Sequence, residues 1–215
     1  MKHMKRDLFV LTADKDQQQT MLGLLNRSSS LGIRKLSFDV ESHPQHDAGI
    51  VQTGVELARL KQRTHAFVLL VLDLEGCGWE STPTDKIEAE LEARLVATGW
   101  NADTAKCLVI APEVEQWVWS DSPEVDAALG WDGESLGSLR HWLVGKAFEF
   151  SPDGKPKRPK EAMRAALREK RVQISSAIFS ELASRVSLRR CKDRTFLKLC
   201  AILRQWFAEP KTECH

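Results

Sequence analysis

The chain has 215 residues, of which 42% are hydrophobic and 28% are charged, and its formal net charge is +1. This composition is typical of a globular protein and excludes a disordered or fibrous chain. No apolar run approaches the ~20 residues that span a bilayer, and the apolar run after the basic start is too short for a signal peptide. We therefore expect a soluble cytoplasmic protein that has no membrane partner. Five cysteines without a CxxC spacing indicate a reducing compartment and argue against a zinc site.

Strand-like and helix-like segments alternate in the first half of the chain. Period-two or continuous apolar runs predict strands at 7–12, 35–40, 66–72 and 107–111. Helical patterns lie between them, around 15–25, at 50–62 and from 81 to 98, where Ile87, Leu91 and Leu95 share one face. This alternation predicts an α/β fold with a mostly parallel sheet flanked by helices.

The pattern changes after the fourth predicted strand. Residues 113–119 are expected to open a helix, 122–150 to form short helices, and 151–159 to form a linker rich in Pro, Gly and Lys. Three helices without intervening strands are then predicted at 160–170, 175–186 and 195–208. We therefore expect an α/β domain at 1–150 and a basic helical C-terminal segment at 151–215 that packs on it.

The apolar run at 66–72 leads directly into Asp73 and Glu75. Such a run is typical of a strand buried on both faces. If the strand continues to Glu75, both carboxylates leave it on the same side. Two neighbouring like charges need compensation, and Mg²⁺ or Mn²⁺, which prefer oxygen ligands, would supply it. The alternative is that Asp73 caps a helix and that Glu75 is simply hydrated.

Acidic residues follow every predicted strand. Ligands of open parallel sheets bind at the carboxyl ends of the strands, which all lie at one edge. A rim of this composition suits metal-dependent phosphoryl transfer. The alternative is that these residues cap helices and interact with helix dipoles, and that Glu113 and Glu115 are ordinary first-turn residues. The residues concerned are Asp14, Asp16, Asp47, Asp73, Glu75, Glu113 and Glu115.

Two further groups of residues each allow two interpretations. His43, His46 and Asp47 are close enough in sequence to be metal ligands or a proton relay, but they are equally typical of a turn. Trp117 and Trp119 could stack on bases, although a buried indole near a helix start is the commoner arrangement.

Charge is unevenly distributed along the chain. Residues 67–135 contain fifteen Asp or Glu and three Lys or Arg, whereas residues 155–171 contain eight Lys or Arg and two Glu. Such a division indicates an anionic partner at the basic end, or else neutralisation of one half by the other within one fold. For a nucleic-acid partner we expect Lys155, Lys157, Arg158 and Lys160 to contact phosphates without sequence preference.

Several motifs together resemble a known family. They are the acidic loop after the first strand, the HPxxD loop at 43–47, the turn Asp73-Leu-Glu-Gly-Cys-Gly, the segment Glu113-Val-Glu-Gln-Trp117, the basic Pro-Lys segment and the closing Leu-Arg-Gln-Trp-Phe. This set resembles the Toprim fold of primases, topoisomerases and OLD-type nucleases. It is most similar to the small Toprim-like proteins of prokaryotic defence islands, in particular the accessory Toprim-like proteins of methylation-associated defence systems.

The resemblance implies a component of an anti-phage defence system that hydrolyses phosphodiester bonds of DNA or RNA and works with other subunits of that system. It implies Mg²⁺ or Mn²⁺ held by Asp14, Asp73 and Glu75, with help from Asp47 and Glu113, and it implies Asp14 as the general acid or base.

Two departures from the Toprim pattern keep a second interpretation open. Toprim enzymes have a glutamate at the end of the first strand, where this chain has Ala13-Asp14, and the second acid of the later pair is Glu75 in place of aspartate. Misplacing a ligand by about an ångström costs about 10²-fold in rate. The alternative is a catalytically degenerate binding or regulatory subunit of a larger defence complex.

Overall fold

The computed structural model describes residues 4–120, 122–133, 137–188 and 191–209. Its strands are β1 (Arg6–Thr12), β2 (Phe38–Ser42), β3 (His65–Asp73) and β4 (Ala105–Ile110). Its helices are α1 (Lys15–Leu25), α2 (Ser28–Leu31), α3 (His46–Arg59), α4 (Thr84–Ala97), α5 (Glu115–Val118), α6 (Pro123–Ala128), α7 (Ser138–Gly145), α8 (Pro159–Glu169), α9 (Ala177–Arg185) and α10 (Arg194–Phe207). None of the helices in these ranges is both long and apolar enough to cross a membrane.

The four strands form one parallel sheet in the order β2-β1-β3-β4. The register pairs Leu8 of β1 with Phe38 of β2 and with Phe67 of β3, and Asp73 of β3 with Ile110 of β4. The predicted α/β fold, with a parallel sheet flanked by helices and a helical C-terminal segment, is confirmed and is consistent with a Toprim-like fold.

Successive residues of each strand supply opposite faces of the sheet, and both faces are covered. On β3, Leu69 and Val71 belong to one hydrophobic core, whereas Val68, Leu70 and Leu72 belong to the other. Helices α3 and α4 cover the second face, and helices α1 and α8 to α10 contribute to the core on the first. Because a parallel sheet must be shielded on both sides, the C-terminal helices complete a layer that α1 alone cannot provide.

The C-terminal segment therefore shares a core with the sheet. The ring of Phe207 in α10 contacts that of Phe67 in β3 edge-on, with 4.8 Å between centroids. The Arg27 guanidinium, after α1, donates hydrogen bonds of 2.8 Å to the carbonyls of Ala183 and Val186. Residues 189–190 and 210–215 of the predicted segment 151–215 lie outside the described residues. The described part of this segment contributes to the same hydrophobic core as one face of the sheet, so no boundary between two cores falls near residue 150.

The edge strand β4 is protected by side chains of α4. Glu88 Oε1 accepts a hydrogen bond from the Val109 N–H at 3.0 Å, and Glu92 Oε1 accepts one from the Cys107 N–H at 3.1 Å. These N–H groups point away from β3 and would otherwise be free to pair with another strand. The two carboxylates thus accept the hydrogen bonds that these N–H groups of the edge strand would otherwise offer to another strand.

Candidate functional site

The carboxyl ends of the four strands bring a group of acidic side chains together. Asp14 follows β1, Asp47 lies in the first turn of α3 after β2, Asp73 is the last residue of β3, and Glu115 opens α5 after β4. The charges of Asp47, Glu115 and Asp14 all raise the pKa of Asp73, so the four side chains are close enough to interact. We call this group, with Asp16 and Glu113, the acidic rim.

Asp73 is the most deeply buried member of the acidic rim. Its relative exposure is 3%, and its backbone N–H donates a hydrogen bond of 2.7 Å to Asp47 Oδ1. Burial first, and then its acidic neighbours, raise the pKa of Asp73 well above its usual value, against the effect of a hydrogen bond from the Val114 N–H. Its Oδ1 atom has no hydrogen-bond partner among the described residues. A buried, unpaired carboxylate oxygen is costly unless a proton or a cation meets it.

Gln17 connects two members of the acidic rim. Asp14 caps α1 by accepting a hydrogen bond of 2.9 Å from the Gln17 N–H. The Gln17 side chain then accepts from the Ala13 N–H at 3.0 Å and donates to Asp47 Oδ1 at 3.3 Å. Asp14 thus performs the structural role of a helix cap while remaining near Asp73. Burial raises the pKa of Asp47 despite the hydrogen bonds that it accepts.

Glu113 and Glu115 meet a lysine that lies far away in sequence. Lys160 Nζ lies 3.1 Å from Glu113 Oε2 and 3.7 Å from Glu115 Oε1, and the Lys160 backbone N–H donates to Glu113 Oε1 at 3.1 Å. Glu115 is 3% exposed, and its Oε2 atom has no hydrogen-bond partner within the described ranges. Burial raises the pKa of Glu115 to about 7, although Lys160 acts to lower it.

Glu75 lies outside this buried group because β3 ends at Asp73 and the strand does not continue as the paired-carboxylate interpretation requires. Leu74 and Glu75 still donate backbone hydrogen bonds to Ile110 and Pro112, but Gly76 then turns the chain with a φ of 86°. The Glu75 side chain is exposed. Its charge raises the pKa of Glu113, which places Glu75 at the outer side of the acidic rim.

His43, Trp117 and Trp119 have hydrogen-bond partners inside the fold, whereas His46 is exposed. The buried His43 ring lies 3.0 Å from Thr53 Oγ1 through Nε2 and accepts from the Gln45 N–H through Nδ1 at 3.1 Å, which holds the turn before α3. The Trp117 indole donates to Asp193 Oδ1 at 3.1 Å, and the Trp119 indole donates to the Pro159 carbonyl at 3.0 Å. These contacts agree with the turn and buried-indole interpretations.

The four basic residues proposed to contact phosphates occupy different environments. Lys155 is 7% exposed, and its ammonium group donates to the Gln116 carbonyl at 2.7 Å and pairs with Asp193 at 3.3 Å, so it serves the interior. Lys160 pairs with Glu113 and Glu115 of the acidic rim. Lys157 and Arg158 are exposed, and they remain the members of the set that a nucleic acid could reach.

Sequence reasoning missed the importance of Lys160 and Glu115. Glu115 was one of several acidic residues near a helix start, and its burial depends on α8 packing over it. The contact between Lys160 and Glu113 joins residues 47 positions apart, so no local sequence pattern predicts it. The usable signal was the pair Glu113 and Glu115 itself, because two adjacent carboxylates that fold inward need a cation.

The carboxylate oxygens of the acidic rim are ligands of the type that a hard divalent cation prefers, but they are not arranged around a common point where such an ion could bind. Every donor is a carboxylate oxygen, as Mg²⁺ and Mn²⁺ prefer, and two of these oxygens are buried without a partner. In the ranges that the structure describes, however, no three His, Cys, Asp or Glu side chains stand in positions that could hold a metal ion. Binding of an ion would require side chains of the acidic rim to move.

Comparison with protein-family models, with curated proteins and with solved structures returns no match to this chain. The resemblance to Toprim-like defence proteins therefore depends on the motifs and on the parallel sheet, and it stays a prediction.

Proposed function

We propose that the acidic rim is the divalent-cation site of a Toprim-like phosphodiesterase that acts on nucleic acid as a component of an anti-phage defence system. The observation that carries the proposal is the pair of buried carboxylate oxygens, Asp73 Oδ1 and Glu115 Oε2, that lack a hydrogen-bond partner among the described residues. Leaving such atoms buried costs several kcal/mol in a dry site. A fold that retains two of them at a strand-end rim favours a cation as their partner.

The proposed ligands are Asp73 and Glu115, with Asp14, Asp47 and Glu113 near enough to complete the set. When bound, Mg²⁺ or Mn²⁺ would neutralise charge on a phosphate and lower the pKa of a water molecule. The chain itself supplies the positioning, since the Asp73 N–H and the Gln17 amide both hold Asp47. Asp14 remains the proposed acid or base, and exposed Glu75 would face the substrate side.

Nucleic acid is the proposed substrate because exposed cations lie before and along α8, the helix whose first turn contacts the acidic rim. Lys157 and Arg158 are exposed just before α8, and Arg164 and Arg168 are exposed on α8 itself. The charge of Arg164 acts on Asp16, so this cation lies close to the rim. Neutralising phosphates in this way gives binding that weakens steeply with salt.

A second candidate is a binding subunit of a larger defence complex that has the same fold and performs no chemistry. The observation in its favour is that Lys160 already compensates Glu113 and Glu115, while no ready-made set of three ligands exists in the described ranges. Such a subunit would be inert towards DNA and RNA in Mn²⁺ and would co-purify with products of neighbouring genes.

The test compares wild type and Asp73→Asn, which keeps the size of the side chain and an acceptor for the Val114 N–H but removes the charge. We expect millimolar Mn²⁺ to raise the Tm of the wild type by about 5–10 °C if it reaches about 100 times its Kd, from about 2.7 kcal/mol of linkage and about 2–4 °C per kcal/mol. The variant should show no such rise and no cleavage of labelled DNA or RNA.

Asp103→Asn is the matched control, because Asp103 is exposed and precedes β4 at the opposite edge of the sheet. It should respond to Mn²⁺ as the wild type does. Without metal, Asp73→Asn should melt slightly higher than the wild type, since the substitution relieves repulsion within the acidic rim. Equal melts of wild type and Asp73→Asn with and without Mn²⁺ would refute the metal site.

A further inference from the structure

Lys160 lies where a cation is unfavourable unless something holds it there. It is in the first turn of α8, at the positive end of the helix dipole. Its side chain is 32% exposed, and its ammonium group leans between Glu113 and Glu115. Although partial burial acts to lower the pKa of Lys160, the carboxylates of Glu115 and Glu113 raise it. The lysine is therefore held as an ion by the acidic rim and not by its own helix.

The charge of Lys160 reaches beyond its two direct partners. Burial raises the pKa of Asp16 and of Glu115, and the charge of Lys160 acts against that rise. The charge of Asp73 in turn helps to raise the pKa of Lys160. One ammonium group thus interacts with acidic residues that follow β1, β3 and β4, including the deeply buried Asp73. Even so, Asp73 Oδ1 and Glu115 Oε2 remain without partners among the described residues, so the single positive charge does not satisfy the site.

We propose that Lys160 is the built-in counter-ion of the acidic rim and that a divalent cation binds there by displacing its ammonium group. This inference depends on the proposed function. The displacement explains why the carboxylates lie close together without being arranged around an ion: Glu113 and Glu115 each direct an oxygen at the Lys160 ammonium group. A divalent ion carries twice the charge and takes several oxygen ligands, so it can meet the two oxygens that Lys160 leaves unpaired.

The backbone provides a fixed point for this exchange. Glu113 Oε1 accepts a hydrogen bond from the Lys160 N–H, while Oε2 faces the ammonium group. The side chain of Lys160 can therefore swing outward while the start of α8 stays attached to Glu113. Once displaced, the ammonium group would lie outside the acidic rim, where it would attract an anionic substrate.

The test measures Mn²⁺ affinity by calorimetry in the wild type and in Lys160→Met, which keeps an unbranched side chain without charge. We expect Lys160→Met to bind Mn²⁺ at least about tenfold more tightly, because the ion no longer competes with the ammonium group. Lys157→Met is the matched control: Lys157 lies three residues earlier in the chain, before the start of α8, is exposed and pairs with Glu149, so its removal should leave the affinity for Mn²⁺ unchanged. Lys160→Arg keeps the charge and should bind no more tightly than the wild type.

Each outcome decides a different question. A wild type that binds Mn²⁺ and a Lys160→Met variant that binds it equally or more weakly would overturn the role of Lys160 and leave the metal site standing. No binding by either protein would overturn the proposed function itself. If Lys160→Met fails to fold without metal, circular dichroism will decide: recovery of the native spectrum in millimolar Mn²⁺ supports the exchange, and failure to recover contradicts it.

Discussion

Replacing Glu115 with glutamine tests whether ionisation of this buried carboxyl group destabilises the folded protein. Burial raises the pKa of Glu115 from 4.5 to about 7 in the folded protein. In the unfolded chain the carboxyl group ionises near its ordinary value, so between these two pH values the folded state binds a proton that the unfolded state does not. The free energy of unfolding therefore falls as the pH rises through this window.

The magnitude follows from the difference between the two pKa values. About 2.5 pH units at about 1.4 kcal/mol each gives about 3 kcal/mol of stability that Glu115 contributes below pH 4.5 and loses by a little above pH 7. The glutamine side chain in Glu115→Gln cannot ionise, so the variant does not lose this stability as the pH rises. For a chain of this size the difference corresponds to about 6–12 °C in Tm at pH 8.

The assay is urea unfolding of both proteins at intervals from pH 4.5 to 8. Other groups titrate in the same range, but the difference between variant and wild type isolates Glu115. That difference should grow in favour of Glu115→Gln by about 3 kcal/mol across the window. Glu56→Gln, at an exposed site on α3, should follow the wild type throughout. The reasoning is wrong if Glu115→Gln retains the pH dependence of the wild type.

Two further substitutions test how the surroundings of the site are built. Gly49→Ala would place a Cβ atom 2.2 Å from His43 Nδ1, so we expect a loss of about 1–3 kcal/mol in urea unfolding, whereas Gly145→Ala, which meets nothing within 4 Å, should lose none. Lys155→Met removes the ammonium partner of the partly buried Asp193, which still accepts hydrogen bonds from the Trp117 indole and from the first turn of α10. We expect a loss of about 1–3 kcal/mol in urea unfolding; an unchanged midpoint would mean that this ion pair does not stabilise the fold.

The sequence by itself determined the framework of the sheet. The apolar runs around Val10, Leu70 and Val109 are interrupted by helical patterns, and a chain of this kind buries its strands only by forming a parallel sheet between helices. The positions of Asp14, Asp73 and Glu113 at or just beyond the carboxyl ends of the strands then follow from chain direction alone. The second strand was predicted at 35–40, but it runs from Phe38 to Ser42, because pairing with Leu8 to Thr12 of β1 sets its limits.

Only the tertiary structure decided which charges meet. Lys160 reaches Glu113 across 47 residues and Lys155 reaches Asp193 across 38, and both contacts exist because α8 to α10 cover the face of the sheet that α1 leaves open. Local patterns record which residues are charged but not which are buried together. The end of β3 at Asp73 separates a buried carboxylate from the exposed Glu75 for the same reason: burial and pairing are properties of the assembled layers, and the pKa of each group follows from them.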